Sequence, residues 1–98
     1  MTKKDAYAQD ELFEAILALE NIDECRQLFE DLCTISEMSA MAQRLEVAKL
    51  LRAKKTFQEV VQATGASTTT ISRVNRCLQY GSDGYHLVLD RLEESKKG

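Results

Sequence analysis

The chain has no proline, four glycines, three cysteines and one histidine among its 98 residues. Each scarcity removes a class of protein. With no proline, little glycine and many good helix formers, the chain reads as all-α. Cys25, Cys33 and Cys77 are odd in number, widely spaced and form no C-x-x-C. Reduced thiols are expected rather than a disulfide framework. His86, beside the turn "GSDG", has no cysteine near it in sequence. Neither an enzyme nor a metal site is expected, because the spacings show no zinc pattern and no phosphate loop. Glu11, Glu14, Glu20, Asp23 and Glu24 surround no glycine-centred calcium loop and read as a solvated face. No apolar run approaches the ~20 residues of a membrane span. The opening stretch "MTKKDAYAQDELFEAIL" is interrupted early by acids and lacks a signal-peptide core, so a cytoplasmic protein is expected.

The length suits one domain, residues 1–98, and the apolar fraction of 44% is that of a globular chain. A domain this small buries a modest core, and dimerisation would enlarge it. The net charge of −3 would argue against a nucleic-acid partner, but the charges are unevenly placed. Residues 1–43 carry ten acids and three bases, whereas residues 44–80 carry seven bases and two acids. A basic segment inside an acidic chain has to be explained.

Apolar spacing and capping signals divide the chain into six helices. Leu12, Phe13, Ile16, Leu17 and Leu19 repeat at helical spacing within 6–19. Asn21 with Glu24 forms a capping-box pattern ahead of a helix burying Leu28, Phe29 and Leu32. Thr34 with Glu37 opens a long central helix in 34–55, whose stripe is Met38, Met41, Leu45, Ala48 and Leu51, with Leu50 beside it. Thr56 with Glu59 opens a short helix ending near Gly65, and Ser67 opens another running to about Tyr80. A last helix spans 85–95, and the final residues "EESKKG" are expected to fray.

Residues 56–80 form a unit. Two capped helices joined by the short glycine turn "TGAS" make the helix-turn-helix layout. Val60, Ala66, Ile71 and Val74 can lock the two helices together. The rest of the second helix is then polar. Ser67 caps it, while Thr68, Thr69, Thr70 and Ser72 crowd its N-terminal end, where a recognition helix meets base edges. Hydroxyls can donate to or accept from those edges, and a threonine methyl can touch a thymine methyl. Arg73 and Arg76 lie further along, for phosphates or a guanine edge. Arg52, Lys54 and Lys55 add positive charge for the backbone. Double-stranded DNA is the expected partner. The rival reading is a helix-turn-helix that docks on other proteins, in which case the hydroxyls only cap and solvate.

Thr34 to Leu92 also resembles the Trp repressor-like family, most clearly its YerC/YecD group. "LCTISEMSAMAQRLEVAKLL" and "TGASTTTISRVNRCL" carry the resemblance. It implies a six-helix, intertwined homodimer, with the helices of 1–33 wrapping the partner, acting as a transcriptional repressor on a palindromic site. It also implies an effector pocket between the long helix and the recognition helix. Arg44 and Arg73 match the family's two ligand-flanking arginines, and Thr34 matches a position that helps hold the ligand. The family's pocket glycine is Val74 here, and its pocket serine is Cys77. A valine at that position would project into the indole slot, so tryptophan is not expected as a co-repressor and no cofactor is assigned.

Overall fold

A computed structural model describes residues 2–97, all six of its elements α-helices. They are α1 (Lys3–Leu17), α2 (Ile22–Leu32), α3 (Ile35–Arg52), α4 (Phe57–Thr64), α5 (Thr68–Tyr80) and α6 (Gly84–Lys97). Side-chain caps start the first five. Thr2 and Asp5 form a reciprocal box at α1, beginning that helix earlier than the apolar spacing alone suggests. Asn21 Oδ1 accepts from the Glu24 N–H at 2.9 Å. The Glu24 carboxylate returns to Asn21 through its side-chain amide at 3.5 Å, and takes its backbone bond from the Glu20 N–H at 2.9 Å rather than from the Asn21 N–H. Full boxes stand at Thr34–Glu37, with bonds of 3.1 and 2.8 Å, and at Thr56–Glu59, with bonds of 3.1 and 3.0 Å. In the last two, the Thr N–H and hydroxyl bonds hold Glu37 and Glu59 below the usual carboxylate range. No helix among the described residues is long and apolar enough to cross a membrane.

The chain divides into two units, Met1–Met38 and Ser39–Gly98. In the first, α1 and α2 bury no residue fully. Ile16, Leu19, Leu28 and Phe29 are half-buried, while Tyr7, Phe13, Leu17, Ile22 and Leu32 are exposed.

The second unit has one core. Val47 and Ala48 of α3, Val60 of α4, Ala66 of the α4–α5 turn, Ile71 and Val74 of α5, and Leu89 of α6 are all buried. Leu45, Leu50, Leu51, Val61, Leu78 and Tyr85 surround them. The four residues expected to lock α4 against α5 are thus in the centre of the core. The stripe expected on α3 holds at Leu45, Ala48 and Leu51, with Leu50 beside it, and differs at two positions: Val47 is fully buried and Met41 is exposed. Ala48 and Leu51 belong to either of two overlapping helical faces, and contact with the later helices selects the face containing Val47.

Polar contacts fix the remaining geometry. The Gln43 amide donates to the Thr64 carbonyl at 3.2 Å, holding α3 to the end of α4. Arg52 donates to the His86 carbonyl at 3.3 Å and pairs with the Asp90 carboxylate. His86 Nε2 lies 2.8 Å from the Leu78 carbonyl oxygen, which makes that nitrogen the donor and joins α6 to α5.

Candidate nucleic-acid interface

The turn between α4 and α5 is built by three residues. Gly65 takes φ = 70°, ψ = 7°, a left-handed conformation that only glycine enters without strain. The Thr64 hydroxyl donates back to the Val60 carbonyl at 2.8 Å and accepts from the Ala66 N–H at 3.1 Å. Ser67 Oγ then accepts from the Thr70 N–H at 3.1 Å and starts α5. With Ile71 and Val74 buried beneath, the outward face of α5 is set rigidly.

The run of hydroxyls divides in two. Ser67 and Thr70 are engaged with each other, their side-chain oxygens 3.1 Å apart, and Thr70 is half-buried. Thr68, Thr69 and Ser72 are exposed, and no side-chain hydrogen bond engages them among the described residues. They stand on the first two turns, where the helix N-terminus also favours negative charge. Arg73 and Arg76 follow, exposed and without an ion pair among the described residues. Lys54 and Lys55 are exposed on the α3–α4 turn, directly before the α4 cap.

Arg52 is a correction. Its spacing in the basic segment suggests a phosphate-binding charge, but its guanidinium is bound to α6 and its side chain is only 21% exposed. Asp90, its partner, lies 38 residues away, beyond the reach of any local spacing rule.

Each residue that the resemblance places around an effector has its own setting. Thr34 has its hydroxyl in the α3 cap. Arg44 is exposed. Arg73 and Cys77 border a surface pocket of about 310 Å³ with Arg76, Tyr80 and Gly81, and Arg44 is not part of its lining. Cys77 also edges a groove of about 510 Å³ along the α5–α6 turn, with Leu45, Tyr85 and Val88. Val74, in the family's glycine position, is 1% exposed and packed in the core, so packed atoms occupy that place. Tyr80 joins the two arginines on this surface, a neighbour that the helix-turn-helix pattern does not announce. It is 80% exposed beside both arginines, and its spacing of four from Arg76 and seven from Arg73 was the available signal.

A capped short helix, a left-handed glycine turn and a second capped helix with a polar outward face define a helix-turn-helix protein. Residues 8–93 match the Trp repressor protein family, and the chain belongs to that family. It is a family of DNA-binding regulators. The chain is 53% identical over 87 residues to the uncharacterized protein YerC of Bacillus subtilis (strain 168), covering 89% of this chain and 84% of that protein. Its fold is similar to that of a candidate Trp repressor from Staphylococcus aureus, with a TM-score of 0.87, 49% identity and 95% of each chain covered. A TrpR-like protein from Eubacterium eligens ATCC 27750 superposes with the same TM-score at 53% identity, over 89% of this chain and 90% of that one.

Proposed function

We propose that the protein is a sequence-specific, double-stranded DNA-binding transcriptional repressor of the cytoplasm, acting as a homodimer on a palindromic site. The observation that carries this reading is the outward face of α5. Three hydroxyls and two guanidiniums are presented there without side-chain partners among the described residues, on a helix whose other face is locked in the core. Thr68, Thr69 and Ser72 read base edges, while Arg73, Arg76, Lys54 and Lys55 neutralise phosphates. Ser67 and Thr70 hold the helix start in the shape that contact requires. Tyr7, Phe13, Leu17, Ile22 and Leu32 are exposed on α1 and α2, and a second copy covers such a surface. Two-fold symmetry then places the half-sites about one helical turn, roughly 34 Å, apart. No cofactor is assigned, and tryptophan is not the effector because Val74 fills the position the family leaves open.

The test is DNA binding followed by fluorescence anisotropy across a salt series. Each phosphate contact contributes a slope of about −0.9 in log K against log salt. Arg73→Ala should weaken every sequence and flatten that slope, and Thr69→Ala should relax base preference more than it lowers total affinity. Undetectable binding at low salt by the folded protein would sink the proposal and favour a protein-docking helix-turn-helix.

A further inference from the structure

His86 is the one histidine of the chain, and its sequence neighbours give it no chemistry. The fold places it between three helices. Its Nε2–H donates to the Leu78 carbonyl of α5 at 2.8 Å. Its own carbonyl accepts from the Arg52 guanidinium at 3.3 Å, and Arg52 also pairs with Asp90, one turn further along α6. The last residue of α3 thus holds the start of α6, and the histidine ring carries that hold across to α5.

The ring acts where α5 is otherwise least held. The fully buried anchors, Ile71 and Val74, lie in its N-terminal half. After Val74, Arg76, Cys77, Gln79 and Tyr80 are exposed, and Asn75 and Leu78 are half-buried. The last carbonyls of a helix have no helical N–H to accept. At the end of α5 the Cys77 carbonyl takes the Gly81 N–H at 2.9 Å, and the Leu78 carbonyl takes the imidazole. Buried anchors in one half set the rotation of a helix about its axis; a contact near the far end sets its tilt.

We infer that His86 is a positioning residue for DNA reading: its imidazole N–H fixes the tilt of α5, and through it the placement of Thr68, Thr69 and Ser72, without touching the duplex. This rests on the DNA-binding reading above. With about 1.5 Å of rise per residue, Thr68 lies about 9 Å along the axis from Val74, so pivoting α5 there by about 10° moves Thr68 by about 1.5 Å. Hydrogen-bond distances span only about 0.5 Å. Short hydroxyl side chains cannot follow such a shift, whereas the long side chains of Arg73, Arg76, Lys54 and Lys55 re-aim at phosphates. Loss of the tether therefore costs sequence discrimination and spares the salt-dependent part of binding.

His86→Ala, His86→Leu and His86→Gln test it, since the glutamine amide supplies an N–H and the other two do not. Each is measured for thermal unfolding at one protein concentration, and for binding at a temperature where circular dichroism shows it folded. Two labelled duplexes are used across a salt series: the duplex that the parent selects from a random pool, and a random-sequence duplex. His86→Ala and His86→Leu should bind the selected duplex at least about tenfold more weakly, the worth of one base contact, with the random-sequence affinity and the salt slope unchanged. His86→Gln should keep the parent's discrimination. Discrimination kept by His86→Ala and His86→Leu, whatever their Tm, overturns the inference and leaves the DNA-binding reading intact, because the histidine is then only a structural link. Equal loss on both duplexes overturns it too, as does failure of His86→Gln to restore discrimination. Nitrogen NMR of the folded parent, labelled at histidine, adds a check that needs no variant: a proton on Nε2 is expected, and a proton on Nδ1 alone overturns the inference. If the parent selects no duplex from the pool, the DNA-binding reading fails and this inference fails with it.

Discussion

Val74 joins the fold to the site, so its truncation tests both. The side chain is 1% exposed on α5, in the core with Ile71, Val60 and Val47. Val74→Ala removes two methyl groups, about 1.6 kcal/mol of burial at about 0.8 kcal/mol per group. A partly relaxed cavity adds about 1 kcal/mol, and the better helix propensity of alanine returns about 0.5 kcal/mol. The expected loss is about 2 kcal/mol. Val74→Gly removes one more buried carbon and places glycine inside a helix, bringing the loss to about 4 kcal/mol. The assay is urea unfolding followed by helical circular dichroism, at one fixed protein concentration. The losses should appear in the midpoint with little change in slope. A Val74→Gly protein within about 0.5 kcal/mol of the parent would refute the reasoning, since the position would then be an unfilled slot and not part of the core.

Three further outcomes follow from the geometry. Gly81→Ala should destabilise the end of α5, because a Cβ there would stand 2.5 Å from the Cys77 carbonyl oxygen; faster amide exchange at Gly81, whose N–H bonds that same carbonyl, is the readout, and unchanged exchange would contradict it. Arg52→Ala should cost about 1 kcal/mol, a charge-assisted pairing discounted for the exposure of Asp90; it should leave the salt slope of DNA binding unchanged, and a shallower slope would return Arg52 to the phosphate contacts. Glu59 is held below its ordinary pKa of 4.5 in the folded chain, chiefly by the Thr56 N–H. Its contribution is therefore fully present above that value and lost as pH falls through the lower folded value. Unfolding measured against pH should show a smaller acid loss for Glu59→Gln than for the parent, and identical profiles would remove this carboxylate from the acid response.

The sequence showed best what depends on neighbours a few residues apart. Thr34 with Glu37, Thr56 with Glu59, and Ser67 each announce a helix start, because the capping bonds span only three residues. Val60, Ala66, Ile71 and Val74 were legible for a related reason: a short turn forces the two helices that carry them into contact. Val47 was not, since the choice between two faces of α3 depends on α4, α5 and α6 arriving from later in the chain. Arg52 was assigned to phosphates because its partner Asp90 belongs to α6. The division among the hydroxyls required coordinates, as Thr70 differs from Thr68 and Thr69 only in which way the helix turns it. The left-handed helix end at Lys54 was equally hidden, because a lysine in a sequence carries no sign of a positive φ.

On the proposed function, α5 reads DNA sequence. Selection by the purified protein from a random duplex pool at moderate salt, with and without a mixture of amino acids, tests it most directly. The expected result is a recovered palindrome whose half-sites lie about one helical turn apart, unaffected by tryptophan. Recovery of nothing above background by a folded dimer would contradict it and reduce Thr68 and Thr69 to a solvated helix start.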